Sequence, residues 1–304
     1  MRFLLLNDSQ DAYGHQLYDC FKGREVVEVV ERDDGFIDSS SSLPRYYLAE
    51  YKSWRPHEKE AMRYAKGRIL DIGCGGGRIS LYFQKKGFDV LGVDVSPLAI
   101  KVCKIRGLRK ARVVSITDVR SRLGMFDTIL MIGNNFGLFG TPNRAKRLLR
   151  QFYRSTSSEA LIIAESNDPY RTNEPFHLAY HRRNRRKGKL PGELTIRVRY
   201  KKYMTPWFDY LIVSKKEMKR ILEGTGWKVK RFVNSQGSVY IGIIEKNVEA
   251  KKPGIVCETW VTEAPKRGSY PSQGTPISVP TCFMASATLG PSGMPSFRNF
   301  SVLA

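Results

Sequence analysis

A chain of 304 residues, 41% of them hydrophobic, is long enough for one large or two modest domains with a sizeable buried core. Its 51 Lys and Arg against 29 Asp and Glu leave a formal charge of +22, which favours phosphate-rich or otherwise acidic partners, although a solvated, Arg-rich surface has the same total. Five cysteines (20, 74, 103, 257 and 282) in no paired or metal-like spacing point to a reduced, cytoplasmic setting, and no apolar run approaches the ~18 residues of a membrane span.

Phe3 to Leu6 is too short an apolar run for a secretory signal. Between 24 and 32, Val26, Val27, Val29 and Val30 alternate with charges as in a short strand; 33–38 reads as a turn and 39–42 as a serine loop. Residues 45–54 read as a helix, and Pro56 opens another through 64. Tyr46, Tyr47 and Tyr51 on this segment either contact a ligand or pack an amphipathic helix on the core.

The chain is organised around 68–80. The apolar run Ile69, Leu70, Ile72 carries Asp71 and ends in Gly73-Cys74-Gly75-Gly76-Gly77-Arg78; Ile79, Leu81, Tyr82 and Phe83 then follow helical spacing. Strand, glycine turn and helix open a nucleotide-binding α/β unit, with free helix N–H groups for an anion and no Cβ to block a ligand's approach. The dinucleotide fingerprint requires Gly or Ala at 78, where Arg stands, and no Gly-Lys-Ser/Thr follows to make a phosphate loop of the Walker type. Asp-x-Gly-x-Gly-x-Gly instead resembles the first motif of the class I S-adenosylmethionine-dependent methyltransferases.

A second buried strand, 88–94, ends in Asp94. It lies 21 positions after Gly73, close to the ~20 expected of a carboxylate that binds a ribose hydroxyl pair. Val95 follows, and Ser96-Pro97 caps the next helix. The third strand, 111–116, leads into Thr117, Asp118 and Val119, where the resemblance implies an acid that meets the adenine amino group; Asp118 as a plain helix cap would look the same. The fourth strand, 126–132, opens onto Gly133, Asn134 and Asn135. Ligands in open α/β sheets bind beyond the carboxyl ends of strands, so these asparagines are expected to face the methyl group or methionine end, or to cap their own loop.

A helix from about 143 to 156 and a fifth strand, 160–165, follow. Asn167-Asp-Pro-Tyr170 is similar to the Asn-Pro-Pro-Tyr loop of enzymes that methylate amino groups on nucleic-acid bases or glutamine. Asp168 replaces its first Pro, however, and it follows strand five rather than strand four. The insertion 167–213 carries His177, His181, Arg182, Arg183, Arg185, Arg186, Lys187 and Lys189, then a period-two run from 194 to 203 that returns through 207–213 as a hairpin over the strand ends. Such a cover suits a lid over a small acidic metabolite, a dimer surface, or a platform for RNA phosphates and bases. His177 and His181 lack acidic or Cys partners for a metal site. Helix 214–223 and strands 227–233 and 239–245 complete the pattern, and 251–304, rich in Pro, Ser, Thr and Gly, is expected to be disordered.

The expectation is a doubly wound, mostly parallel, seven-stranded Rossmann-like methyltransferase sheet with a β-hairpin insertion and an N-terminal helical lid. The divisions are 1–65 (segment and lid), 66–248 (methyltransferase domain) and 249–304 (tail). The resemblance implies methyl transfer from S-adenosylmethionine to an O, N or S nucleophile of a small molecule, with RNA methylation and a cofactor-binding pseudoenzyme as alternatives. Asp71, Gly73, Cys74, Gly75, Gly77, Arg78, Asp94, Val95, Ser96, Thr117, Asp118, Val119, Gly133, Asn134 and Asn135 are the expected cofactor residues. Asn134, Tyr46 and His177 are the catalytic candidates, and no metal is expected.

Overall fold

The computed structural model describes residues 6–247; the expected tail from 249 onward, with Cys257 and Cys282, lies outside the described residues. In chain order the elements are α1 (Ala12–Phe21), β1 (Glu28–Arg32), β2 (Ile37–Ser40), a single turn α2 (Leu43–Tyr46) and α3 (Pro56–Met62). Then come β3 (Ile69–Ile72), α4 (Arg78–Lys85), β4 (Val90–Asp94), α5 (Pro97–Ile105), β5 (Ala111–Val113), β6 (Phe126–Met131), α6 (Pro142–Arg154) and β7 (Thr156–Asn167). α7 (Pro175–Arg186), β8 (Glu193–Tyr200), β9 (Tyr203–Met204), β10 (Phe208–Leu211), α8 (Lys215–Leu222), β11 (Trp227–Asn234) and β12 (Val239–Lys246) complete the described chain.

The seven-stranded sheet runs β11-β12-β7-β6-β3-β4-β5. β3 pairs in parallel with β4 (Leu70 opposite Leu91) and with β6 (Leu70 opposite Ile129), while β12 joins β7 antiparallel and closes the sheet with β11. β3 and β4 are buried along their whole length, which is why they read as continuous apolar runs rather than alternating ones. One core, around Leu70, Leu91, Ile129, Phe152 and Leu222, and another, around Ile69, Ile79, Phe83, Leu130 and Ile243, surround the sheet. No helix among the described residues is long and apolar enough to cross a membrane.

A second, antiparallel sheet was not foreseen. The insertion does form a hairpin, β8 with β10, but β8 pairs on its other side with β1, and β1 with β2, so that the order is β10-β8-β1-β2. The N-terminal segment and the insertion therefore build one sheet; of its two N-terminal strands, β1 falls in the short strand expected over 24–32, and β2 was not expected. Ser39 and Ser40, read as loop, pair with Val29 and Glu28 because a tertiary partner supplies the hydrogen bonds that local composition could not announce. Glu31 stands opposite Arg197 and accepts a two-pronged bond from its guanidinium (2.8 and 2.9 Å). The helix expected over 45–54 also breaks: α2 ends at Tyr46, and the Leu48 carbonyl is taken by the Arg106 guanidinium (2.8 Å) instead of continuing a helical ladder.

Asp11 ties the N-terminal segment to the central sheet. One carboxylate oxygen accepts the Gly14 amide (2.9 Å) at the start of α1. The other accepts the Ser96 hydroxyl (2.9 Å) and the Leu98 amide (3.1 Å) at the start of α5, so one buried acid caps two helices. Replacing Asp11 with Ala leaves these donors without their acceptor and is expected to cost about 2–3 kcal/mol in urea unfolding. Asp11→Asn, which keeps one acceptor oxygen, is expected to lose less.

Candidate active site

The glycine loop leaves β3 with Gly73, Gly75 and Gly77 all at positive φ (70, 52 and 76°), a backbone that L side chains rarely adopt. Asp71 turns inward and accepts the Ser80 hydroxyl (2.7 Å), fixing the first turns of α4 under the loop; burial pushes its carboxyl up to about 6. At the end of β4, Asp94 accepts the Gly75 amide (3.0 Å) and the Ser96 amide (2.9 Å), joining the loop to the start of α5. Burial pushes Asp94 up to about 6 as well, against the pull of those amides. Behind the loop the Cys74 and Cys103 sulfurs lie 3.9 Å apart, and Cys103 donates to the Gly75 carbonyl.

β3 and β6 part at their carboxyl ends, and the loop after β6 fills the gap. The Asn135 side chain donates to the carbonyls of Ile72 and Gly73 (both 3.0 Å), lashing the two strand ends together. Asn134 adopts φ 58°, one of two non-glycine residues at positive φ among those described. Its amide N–H donates to Glu165 (3.1 Å) at the end of β7, and its carbonyl accepts the Tyr210 hydroxyl (2.7 Å) from β10. The Asn134 side chain is fully buried, yet neither Oδ1 nor Nδ2 has a hydrogen-bond partner. Leaving such groups unsatisfied costs about 1–3 kcal/mol each.

The N-terminal segment covers this crevice. Tyr13 places its hydroxyl over Gly75, where it would meet an added Cβ at 2.7 Å, and Tyr47 and Leu48 lie over Gly76. Arg106 bonds the Gly76 and Leu48 carbonyls and so joins cover to loop. Tyr47 packs edge-on against Tyr13 and donates to Glu28 (3.2 Å), which also accepts from Gln16 (2.5 Å). Burial pushes Glu28 up to about 7. On the opposite side, Glu58 of α3 accepts from Arg78, from the Tyr46 hydroxyl and from the Arg55 amide, while the Arg78 guanidinium lies over the Tyr46 ring (4.2 Å).

The expected residues are thus brought together unevenly. Gly73, Cys74, Gly75, Gly77, Arg78, Asp94, Ser96, Gly133, Asn134 and Asn135 gather at the carboxyl ends of β3, β4 and β6. Val95 is half-buried beside Asp94; Thr117 and Asp118 form a single tight turn after β5, and the Val119 side chain belongs to the main core. Tyr46 joins the crevice, but its hydroxyl is committed to Glu58, and Tyr51 stacks on Tyr82 outside it. His177 of α7 accepts from Arg32 of β1 (2.9 Å) beside Phe36, at the antiparallel sheet rather than at the glycine loop. Burial, helped by Arg32 at His177 and by Arg185 at His181, lowers both imidazoles to about 4, so they are neutral at pH 7. Tyr170 of the Asn167–Tyr170 loop donates to Glu217, away from the strand-four end.

Sequence reasoning missed Tyr13, Glu28, Glu58, Glu165 and Tyr210. Glu165 had a signal: an acid closing an apolar strand, the feature that singled out Asp94. The others arrive through tertiary pairing and carry none. Among the described residues no His, Cys, Asp and Glu cluster suits a metal ion.

The raised Glu28 yields a pH test. Its folded value of about 7 lies above the ordinary 4.5, so ionisation costs nothing in acid, costs more as pH rises from about 4.5, and costs its full amount above about pH 7. Glu28→Gln, which never ionises, is therefore expected to gain stability relative to wild type between about pH 4.5 and about pH 8, by about 3 kcal/mol at most, in paired urea titrations. A difference that does not change with pH would refute it.

Comparison with known proteins agrees with this geometry. Residues 69–159 match the family described as a methyltransferase domain. The ubiquinone biosynthesis O-methyltransferase of Xanthomonas oryzae is 35% identical over 71 residues, 21% of this chain and 30% of that one. The glycine/sarcosine N-methyltransferase of Halorhodospira halochloris is 26% identical over 142 residues, 44% and 53% respectively. The chain thus spans about half or less of these curated relatives. A crystal structure of a SAM-dependent methyltransferase from Bacteroides fragilis, in complex with S-adenosyl-L-homocysteine, superposes with a TM-score of 0.68 at 24% identity, covering 80% of this chain and 98% of that one. The chain therefore carries a methyltransferase domain over residues 69–159, set in the class I S-adenosylmethionine-dependent methyltransferase fold.

Proposed function

We propose that the chain transfers a methyl group from S-adenosylmethionine to an O, N or S nucleophile of a small molecule. The observation that carries this reading is the enclosed crevice itself: a positive-φ glycine loop and Asp94 on one wall, and the buried, unpartnered amide of Asn134 on the other. Those residues fit the cofactor. The loop lets a ligand approach the backbone, Asp94 would hold the ribose, Asp118 the adenine, and Gly133 and the Asn134 Nδ2 the methionine end. When bound, S-adenosylmethionine supplies an activated methyl group on its sulfonium. The chain's own part is to align and to keep dry: Asn135 and Asp94 hold the strand ends and loop in place, and Tyr13, Tyr47 and Leu48 exclude water as a lid. A closed, tyrosine-lined interior supports a small acceptor. Calorimetry with S-adenosylmethionine tests the reading: wild type is expected to bind, and Asp94→Ala to lose about 2–3 kcal/mol of affinity through the missing charge-assisted bonds. No binding by a folded wild type would sink it.

A second reading, methylation of RNA, is favoured by one surface feature. Arg182, Arg185, Arg186, Lys187 and Lys189 are all exposed on and just after α7, with Arg185 over the exposed ring of Tyr170 (6.0 Å). It is expected to show as RNA binding that weakens steeply with salt and falls on changing Arg182, Arg183, Arg185 and Arg186 to Ala.

A further inference from the structure

Carboxylates gather inside the site of a chain that is strongly basic overall. The chain is +22 overall, yet Glu28, Glu58, Glu165 and Asp94 are all buried around the crevice. Arg78, buried among them, is ion-paired with Glu58. Glu28 accepts from two neutral groups, Gln16 and Tyr47, and Glu165 accepts from the backbone amide of Asn134. Tyr210 clamps the carbonyl of Asn134, the residue whose amide Glu165 accepts, so the two side chains hold one residue from its two ends. An acidic ligand would meet like charges there; an alcohol would leave them uncompensated.

We propose that Glu165 and Asn134 form the acceptor subsite and that the acceptor is an amine. The proposal rests on the methyl-transfer reading and names its substrate class. An incoming ammonium is drawn to Glu165, and the Asn134 Oδ1, otherwise without a donor, accepts a second N–H. The ammonium then passes one proton to the carboxylate: one N–H bond breaks and one O–H bond forms, so that R–NH3+ and –COO− become R–NH2 and –COOH. The nitrogen lone pair is thereby freed for the methyl group. In a dry site the neutral pair is favoured over separated charges, as general-base catalysis requires. The setting supports this role. Glu165 lies within range of the charges of Glu58 on α3, Arg78 on α4 and Arg55, and its own charge is felt by Tyr46 and Tyr210; burial first, then the Glu58 charge, push it up to about 7 against the pull of Arg78.

The test uses benzylammonium, benzyl alcohol and benzoate as matched probes, titrated into the full chain with and without S-adenosylhomocysteine. Wild type is expected to prefer benzylammonium by about tenfold over either neighbour, and Glu165→Gln to abolish that preference while keeping its affinity for S-adenosylhomocysteine. Asn134→Gly, which tolerates the same positive φ, serves as the second variant and is expected to weaken benzylammonium by about tenfold. Equal binding of the three probes, stronger binding of benzoate, or a preference that survives in Glu165→Gln overturns the subsite. Failure of S-adenosylhomocysteine to bind sinks the methyl-transfer reading instead, and the probe preference of the unloaded chain still decides the charge of the pocket.

Discussion

Parallel pairing of β3 with β4 on one side and β6 on the other is the constraint on which the rest of the molecule depends. Chain order reverses direction across β3, so the strand ends on its two sides diverge and leave a crevice that no backbone ladder can fill. Two side chains then define that opening. Asn135 bridges it by donating to the carbonyls at the end of β3, and Asp94 draws the Gly75 amide toward β4. Each satisfies backbone groups that the end of a strand would otherwise leave unpaired, and the crevice is what remains between them.

The cover is built from two distant parts of the chain. β1 and β2 come from the N-terminal segment and β8 to β10 from the insertion, and their common sheet rests on the turn after β6 through Tyr210. Gly137 is needed there, since a Cβ would enter the Tyr210 ring at 2.2 Å. α1 is fastened separately, by the double cap at Asp11. A cover attached at two independent points can hold Tyr13 and Tyr47 over the glycine loop more firmly than a single hinged helix could.

Net charge turns out to describe the outside of this protein. Basic side chains crowd the exposed face of α7, while the crevice gathers carboxylates whose burial raises their affinity for protons. The two facts are compatible because solvated Lys and Arg contribute little to the potential deep inside, where a few near neighbours dominate. Composition therefore speaks to long-range attraction and not to what the pocket holds.

By itself, the sequence determined the central sheet and the glycine loop. Ile69 to Ile72, the loop from Gly73 to Gly77, and the spacing to Asp94 are local patterns with a fixed period, and all seven strands of that sheet follow such patterns. Asn134 and Asn135 were legible for the same reason, standing directly after an apolar strand. Tertiary structure alone decided the second sheet, the break after Tyr46, and the arrival of Tyr13, Glu28, Glu58 and Tyr210 at the crevice. The physical reason is range. A strand's partner, a helix's end at a distant guanidinium and the burial of a carboxylate depend on contacts between residues far apart in the chain, and no periodicity along the sequence records them.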